Sequence, residues 1–207
     1  MAKLTLSKGN SKIGHVINFS LPSKTTCPGK TEWCDKHCYA ARIERIYPNA
    51  KKAWAENFEI AKSDNFVKEM TEALKKIPKK YTVIRIHVSG DFFNEKYIRD
   101  WIEVIKAHPN LSFYAYTKAW RVPKMLDALE DLTNLLNMTL FASTDISTKS
   151  GVGPIFMREA FAGDVKPIMK DRTFTKCLAQ GNIAKTCDQC KLCSKASSAV
   201  NIFFKTH

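Results

Sequence analysis

The stretch YTVIRIHVSGDFFNEKYIRDWIEVIKAHPNLSFYAY, residues 81–116, predicts a strand, a helix and a second strand in succession. Residues 81–88 are rich in β-branched side chains and end at the turn-forming sequence SGDFFN. Asn94 is a suitable helix N-cap, and apolar residues then recur at helical spacing until the sequence HPN at 108–110. Residues 111–116 predict the next strand. Two strands joined by a helix are typical of a parallel sheet.

The same alternation continues on both sides of this stretch. The other predicted helices comprise residues 39–47, 49–62, 66–77 and 123–136. The other predicted strands comprise residues 16–20, 137–143, 154–157 and 165–169, after a loosely held polar arm at residues 1–14. We therefore expect the α/β class with parallel strands, and the pattern leaves open whether the sheet is open or curled into a barrel.

The composition is that of a globular protein of ordinary domain size, with 207 residues, 44% of them hydrophobic and 11% aromatic. No apolar run approaches the roughly 20 residues that span a bilayer. The N-terminal residues also lack the apolar region of a signal peptide. We therefore expect no membrane partner, a cytoplasmic location and reduced cysteines.

The formal net charge of +13 has two interpretations. A polyanionic partner, such as a nucleic acid or a nucleotide substrate, is bound through neutralisation of phosphates by Lys and Arg. Alternatively, the charge belongs to a solvated lysine surface, as in the run KKIPKK at residues 75–80. Charge alone does not choose between a binding function and simple solubility.

The cysteines form a group of three early in the chain and a group of four near its end. The first group, Cys27-x6-Cys34-x3-Cys38, has no obvious fourth ligand, so an iron–sulfur cluster held there would leave one iron open. Zinc with His37 as the fourth ligand is the alternative. The second group, Cys177, Cys187, Cys190 and Cys193, is similar to ferredoxin-type cluster loops, and a zinc knuckle competes with that interpretation.

Polar residues follow the predicted strands, at the edge where parallel α/β proteins build their sites. They are Ser89-Gly90-Asp91, Thr117-Lys118, Ser143-Thr144-Asp145, Arg158 and Lys170-Asp171. Each one is also an ordinary loop residue, but together with the three-cysteine loop they indicate a site. His87, inside a predicted strand, is more consistent with a packed core residue than with a catalyst.

Several motifs resemble those of the radical S-adenosylmethionine (SAM) superfamily over residues 15–145. A closer likeness, over most of the chain, is to a family of small phage and mobile-element proteins. The superfamily resemblance is carried by the three-cysteine loop and the Gly90-Asp91 turn, and the closer likeness by TTCPGKTEWCDKHCYA (25–40), RIHVSGDF (85–92), FYAYTKAW (113–120) and CDQCKLC (187–193). The superfamily resemblance implies a partial (β/α) barrel at residues 1–170, with a small cysteine-rich, cluster-binding extension at residues 171–207.

The resemblance also implies a function. In radical SAM enzymes the open iron of a [4Fe-4S] cluster chelates the methionyl part of SAM, and reductive cleavage yields a 5′-deoxyadenosyl radical. Cys27, Cys34 and Cys38 would hold this cluster. The residues expected to contact SAM are Ser89, Gly90 and Asp91 at the amino group, Lys118 and Asp145 at the carboxylate and ribose, and Tyr39 near the adenine. The resemblance further implies an electron donor such as flavodoxin or ferredoxin.

The loop departs from the usual superfamily spacing C-x3-C-x2-C, and His37 replaces the usual aromatic or apolar residue before the last cysteine. Three functions are therefore considered. The first is a radical SAM-like enzyme acting on a nucleotide, a nucleic acid or a peptide. The second is a non-catalytic nucleic-acid binder stabilised by zinc or iron–sulfur clusters, disfavoured because basic residues are not seen interleaved with exposed aromatics. The third is a cluster protein that uses its open iron as a Lewis acid or as a sensor, without cleaving SAM.

Overall fold

The chain folds as an α/β protein around one mostly parallel sheet of eight strands. The computed structural model describes residues 2–168, 170, 173–180, 186–196 and 199–206. The strands are β1 (Ser7–Lys8), β2 (Val16–Phe19), β3 (Val83–Ile86), β4 (Ser112–Thr117), β5 (Met138–Asp145), β6 (Arg158–Gly163), β7 (Phe174–Lys176) and β8 (Asn201–Lys205). The helices are α1 (Glu32–Lys36), α2 (Tyr39–Ile46), α3 (Pro48–Lys62), α4 (Phe66–Lys75), α5 (Glu95–Lys106), α6 (Leu126–Thr133) and the single turn α7 (Cys187–Cys190).

The sheet order is β1-β2-β3-β4-β5-β6-β8-β7, and β1 is antiparallel to β2 whereas the other neighbours are parallel. Strands β2 to β6 therefore neighbour each other in chain order. Because parallel crossovers are right-handed, a sequential order of this kind places the connecting helices on one face of the sheet. The carboxyl ends of these strands meet at a single edge, which is called the carboxyl edge below.

The two faces of the sheet are covered by different parts of the chain. Ile84 packs in the main apolar core with Trp101 of α5 and Leu129 of α6. Its neighbour in β3, Val83, faces the other way and packs with Cys187 and Cys193 of the C-terminal segment. This alternation follows from the two-residue period of a strand. The helices thus cover one face, and the second cysteine group covers the other.

Most predicted elements are confirmed. Asn94 is the N-cap of α5, and its Oδ1 accepts a hydrogen bond of 2.8 Å from Tyr97 N. The strands at 81–88, 111–116 and 137–143 correspond to β3, β4 and β5. The helix expected at 123–136 begins as a 3₁₀ turn at Pro123–Met125 before continuing as α6.

Two predicted strands and the predicted free arm are wrong. Residues 154–157 form a turn in which Met157 N donates to Pro154 O, so Arg158 begins β6 and does not follow a strand. Residues 165–168 are not a strand, because Pro167 interrupts the segment and its apolar side chains are exposed. Met169, the last residue of that predicted strand, lies outside the described residues. The arm is tied to the body through β1 and a hydrogen bond from Thr5 N to Asn57 Oδ1.

The segment 171–207 contributes β7, α7 and β8. Strand β8 pairs with β6 in the register Ile202↔Ala160, and β7 pairs with β8. The segment therefore extends the same sheet as residues 1–170, and the expected division into two units stays a prediction. Among the described residues, no helix combines the length and the apolar character needed to cross a bilayer.

Candidate functional site

Asp91 lies at the carboxyl edge and connects the turn after β3 to the end of β4. Its Oδ1 accepts hydrogen bonds from Thr117 Oγ1 (2.5 Å) and Phe92 N (2.7 Å), and its Oδ2 accepts one from Lys118 N (2.8 Å). Burial raises the pKa of Asp91 to about 6, although these three donors favour the charged form. The predicted strand-end residues Asp91 and Lys118 are thus in contact.

Asp145 ends β5 and forms the most extensive hydrogen-bonding centre at this edge. Its Oδ2 accepts from Lys118 Nζ (2.7 Å) and from Thr31 Oγ1 (2.7 Å), and its Oδ1 accepts from Ser147 N and Oγ. The ion pair is buried, since the Lys118 and Asp145 side chains are 9% and 0% exposed. Burial alone would raise the pKa of Asp145, but the bonds from Lys118, Ser147 and Thr31 lower it to about 2.

The three-cysteine loop is fastened to the same edge at several points. Thr31 is the N-cap of α1, and its Oγ1 accepts a hydrogen bond of 3.0 Å from Cys34 N while donating to Asp145. Gly29 lies so close to the end of β4 that a Cβ there would be 1.8 Å from Lys118 O. Arg121 Nη1 donates to Gly29 O at 2.8 Å. The position of the loop is therefore determined by β4 and β5.

The three thiols of the loop are partly buried and influence one another electrostatically. The pKa of Cys27 is raised to about 12, mainly by burial and also by Asp91, Cys34 and Cys38, against a backbone hydrogen bond with Lys24. Burial also raises the pKa of Cys34, where Lys118 acts in the opposite direction. Without a bound metal Cys27 and Cys34 stay protonated near neutral pH, whereas a bound metal stabilises thiolates.

The turn after β3 has three unusual features beside the cysteine loop. Gly90 has a φ of +80°, and a Cβ there would lie 2.6 Å from Leu21 Cβ and from Thr26 Oγ1. Ser89 is buried, and its Oγ has no hydrogen-bond partner among the described residues. His87 is buried with its Nε2 at 2.9 Å from Tyr97 OH, and burial lowers its pKa to about 3. His87 is accordingly packed in the core, as the sequence indicated.

Tyr39 and His37 flank Cys38 on the outside of the site. The residue Tyr39 is 55% exposed, but its hydroxyl points inward and donates a hydrogen bond to Val88 O. His37 is exposed; its ring stacks on Trp33 with centroids 4.8 Å apart, and its Nδ1 is 2.9 Å from Trp33 O. The structure therefore places the His37 ring on Trp33 and gives it a backbone partner.

The four C-terminal cysteines all line one cavity of ≈ 20 Å³, on the sheet face opposite the helices. Tyr116 OH donates to Cys193 Sγ at 2.9 Å. The pKa of Cys193 is raised to about 12, mainly by burial and also by the nearby Cys177 and Cys187, against the hydrogen bond from Tyr116. Four thiols around one small space are the residue types that bind zinc or an iron–sulfur cluster, although in this structure they are not close enough to hold a metal ion jointly.

The segment 171–207, called the C-terminal lobe below, is held to the rest of the chain by polar contacts. Asp188 Oδ2 accepts from His15 N at 3.0 Å, just before β2. Arg158 donates through Nε to Val200 O at 2.8 Å and through Nη2 to Leu192 O at 3.0 Å. Its guanidinium also lies 4.3 Å from the centroid of Phe141. Arg158, predicted as a strand-end residue, instead holds the C-terminal lobe against the sheet.

Arg85 lies between the two cysteine groups and was not identified from the sequence. Its guanidinium is 5.3 Å from the ring centroid of Tyr116, and its Nε has no hydrogen-bond partner among the described residues. Burial lowers the pKa of Arg85, but Tyr39, Tyr114, Tyr116 and Cys187 more than compensate and raise it above the ordinary value. A charged residue inside a buried strand, VIRI, was the available signal.

The geometry thus brings Cys27, Cys34, Asp91, Lys118 and Asp145 together at one edge. In the described residues, however, no three or more His, Cys, Asp or Glu side chains are close enough to hold a metal ion jointly. Lys170 lies in the bend after β6, and Asp171 lies outside the described residues. Thr31 is the residue of the edge that sequence analysis missed, although the sequence T-x-x-C before a short helix carries an N-cap signal.

Comparison with known proteins assigns the chain to a family of phage proteins. The family model described as Gene product 88 matches residues 2–196. The chain belongs to the Gene product 88 family. The Gene 88 protein of Mycobacterium phage D29 is 27% identical over 224 residues, which cover 93% of this chain and 88% of the phage protein. The Gene 88 protein of Mycobacterium phage L5 is 30% identical over 151 residues, or 66% and 60% of the two chains.

Membership of the Gene product 88 family confirms the expected likeness to small phage proteins. The names of the two phage relatives state no activity. No solved structure matches the chain. The radical SAM likeness, the cofactors and the roles of the site residues therefore stay predictions for this family member.

Replacing Asp145 by Asn tests the network that fastens the cysteine loop. The change leaves the Lys118 ammonium buried without its carboxylate, so we expect the free energy of unfolding near pH 7 to fall by about 3–5 kcal/mol. The lowered pKa of Asp145 stabilises the fold above the ordinary Asp pKa, and this contribution is lost as the pH falls toward about 2. The deficit of the variant should therefore shrink between about pH 4 and about pH 2.

Urea unfolding followed by circular dichroism at about pH 4 and about pH 2 measures how the stability difference between the variant and the wild type changes with pH. Asp131→Asn is the matched control, since Asp131 pairs with Arg99 on the exposed surface and should change stability by less than about 1 kcal/mol. An Asp145→Asn deficit that stays constant with pH would contradict the role given to the carboxylate.

Proposed function

We propose that this Gene product 88 family member is an iron–sulfur enzyme that binds SAM at the three-cysteine loop and cleaves it reductively for radical chemistry. The observation that carries the proposal is the position of this loop. Cys27 and Cys34 are close enough to Asp91 at the carboxyl edge to interact with it electrostatically, Cys38 belongs to the same loop, and the remaining four cysteines line a separate cavity. A cluster held by three thiolates keeps one iron open to a ligand, which is what SAM binding requires.

The residue types of the loop suit such a cluster, although the three thiols are not close enough in the described structure to hold a metal ion jointly. Three partly buried thiols would supply the ligands. The burial that raises the pKa values of Cys27 and Cys34 also limits the access of water to the site. The buried Ser89 Oγ, which lacks a partner among the described residues, is available for a hydrogen bond to a ligand. When bound, the cluster supplies the electron that cleaves the sulfonium of SAM, and the protein supplies orientation.

Within this proposal Asp91 binds the amino group of SAM and the Ser89-Gly90 backbone allows its close approach. The Asp91 oxygens already accept three hydrogen bonds, and a carboxylate has about four lone-pair sites for acceptance. Lys118 and Asp145 pair with each other, which favours a positioning role over direct contact with the carboxylate and ribose of SAM. Tyr39 remains the candidate at the adenine, because its half-exposed ring adjoins Cys38.

The sheet supports the finer fold assignment that goes with this function. Strands β2 to β6 are parallel and sequential, which is the strand order of a (β/α) barrel wall and differs from the reversed order of doubly wound sheets. We infer a partial barrel whose inner face is covered by the cysteine-rich C-terminal lobe. The enzyme would act in the cytoplasm of the phage host, with a flavodoxin- or ferredoxin-like donor providing electrons.

The C-terminal cavity is the proposed second metal centre. Cys177, Cys187, Cys190 and Cys193 would form a four-thiolate set, so we infer a closed centre that holds a second [4Fe-4S] cluster, with zinc as the alternative. Its attachment to β2, β6 and β8 gives it a structural role whichever metal it binds.

Anaerobic purification followed by metal and sulfide analysis tests the metal assignment. We expect a brown protein with about eight iron atoms per chain, since each cubane contains about four. Removing the loop ligands by Cys27→Ala, Cys34→Ala and Cys38→Ala should leave about half of the iron, held by the C-terminal group. A colourless wild-type protein that contains zinc alone would contradict the enzyme proposal and favour a metal-stabilised binding protein.

Incubation of the reduced protein with SAM tests the reaction, with 5′-deoxyadenosine measured by mass spectrometry. Cys34→Ala should abolish the product, because the open-iron cluster loses a ligand. Asp91→Asn should lower kcat/KM for SAM about 10- to 100-fold, the range expected for losing a hydrogen bond to a charged group. Asp131→Asn, on the exposed surface, serves as the control. Product formation that survives in Cys34→Ala would contradict the site assignment.

A further inference from the structure

Helix α2 is held to the protein by one side and leaves the rest of its surface to solvent. Ala40 is its one buried residue, and Glu44 turns inward, where Oε1 accepts from Ser23 N (2.6 Å) and Oε2 from Ser23 Oγ (3.1 Å). The outward side is a mixture of aromatic, aliphatic and basic side chains. This α2 surface consists of Tyr39, Arg42, Arg45, Ile46 and Tyr47.

The charge of this region is strongly one-sided. Residues 36–52 contain Lys36, Arg42, Arg45, Lys51 and Lys52, against Glu44 as the acidic residue of the range. Glu44 is hydrogen-bonded by Ser23, which leaves its charge in place, and in the part of the chain that the structure describes Arg42, Arg45 and Lys51 make no ion pair. An exposed surface with several unopposed cations is complementary to a polyanion.

Two exposed aromatic residues and one exposed aliphatic residue lie among these cations. Tyr39, Ile46 and Tyr47 are 55%, 48% and 56% exposed. The Tyr39 ring is also held in place, because its hydroxyl donates to Val88 O at the end of β3. The expectation that basic residues are not interleaved with exposed aromatics is therefore wrong. It failed because Tyr39 begins α2 and Tyr47 follows it, and this helix buries a single residue. The sequence does not show that both tyrosines stay outside the core, since tyrosine is often largely buried.

We propose that the α2 surface binds single-stranded nucleic acid and presents it to the cysteine loop. Cations that track phosphates together with aromatic rings that stack on bases are the combination used for single strands. In a duplex the base faces are already stacked, so Tyr39 and Tyr47 would have no platform role there. The helix begins directly after Cys38, which places the bound strand beside the candidate catalytic edge. This inference rests on the proposed function for its substrate role, and its binding part is tested separately.

Fluorescence anisotropy with the anaerobically purified protein tests the binding. Suitable probes are labelled oligo(dT) and oligo(U) of about 20 nucleotides, longer than the roughly 4–16 nucleotides that one single-strand site covers, and the oligo(dT)·oligo(dA) duplex. We expect the single strands to bind more tightly than the duplex. The logarithm of the binding constant should fall linearly with the logarithm of the salt concentration, with a slope of about −0.7 per neutralised phosphate.

Two variants divide the contributions of charge and stacking. Arg42→Gln with Arg45→Gln should weaken binding at least about tenfold at low salt and reduce the salt slope by about 1.4, the amount for two phosphates. Tyr47→Ala should weaken binding at least about fivefold with an unchanged slope, because a stacking contact is lost. Thermal unfolding checks that each variant is folded, and these exposed residues should leave it unchanged.

Lys79→Gln with Lys80→Gln is the matched control for net charge. These exposed lysines precede β3 and so lie at the opposite, amino end of the strands. The control should retain the affinity and slope of the wild type. Equal losses in both double variants, absent wild-type binding, equal affinity for the duplex or displacement by poly-glutamate at matched charge would each overturn the proposal.

The inference and the proposed function fail independently. Formation of 5′-deoxyadenosine without nucleic acid, combined with absent oligonucleotide binding, would overturn the inference and retain the enzyme. Oligonucleotide binding that depends on Arg42 and Arg45 in a protein that does not cleave SAM would retain the surface and overturn the enzyme. If the wild type cleaves SAM, the Arg42→Gln, Arg45→Gln variant should show the same nucleic-acid-independent cleavage.

Discussion

The buried carboxylate of Asp145 is the contact on which the candidate site depends. It joins the end of β5 to the Lys118 ammonium at the end of β4 and to the Thr31 hydroxyl, which in turn caps the helix that carries Cys34. A buried charge of this kind is stable when every partner is present, because each donor offsets part of the desolvation. The same contact therefore couples the stability of the sheet to the position of a thiol. A loop that lacks regular structure over most of its length is thereby given a fixed relation to two strands.

The two cysteine groups occupy different environments, and the sheet explains why. The loop of three lies at the carboxyl edge, where polar side chains converge, whereas the group of four packs on the face opposite the helices, against apolar and aromatic residues. Strand β8 fixes the second position, since it enters the sheet between β6 and β7. Arg85 lies between the groups and is in electrostatic contact with both Tyr39 and Cys187. An open site at the edge and a closed site on the face are consistent with one chemical and one structural centre.

Features that depend on residues near each other in the sequence could be predicted, whereas contacts between residues distant in the chain could not. The elements from β3 to β5 were predicted because their apolar periods are local and strong, and Asn94 capped α5 as expected. Asp91, Lys118 and Asp145 could be placed at one edge because parallel strands end together. Their pairing could not be predicted, since the Lys118–Asp145 bond and the Thr31 link join residues distant in the chain. Strand β6 was missed because its first residues, Arg158 and Glu159, are charged, and their burial depends on partners elsewhere in the fold.

The charge of the protein separates into two parts with different physical consequences. At the carboxyl edge the cation of Lys118 is neutralised by Asp145, so the edge contributes little to the long-range field. On α2 the cations of Arg42 and Arg45 are exposed, outnumber the single acidic neighbour Glu44 and make no ion pair among the described residues, so they act on anions at distances up to about a Debye length, roughly 10 Å in ordinary buffers. A polyanion would therefore be attracted to α2 and not into the buried network itself. That arrangement brings a strand close to Cys38 while leaving the hydrogen bonds that position the cysteine loop intact.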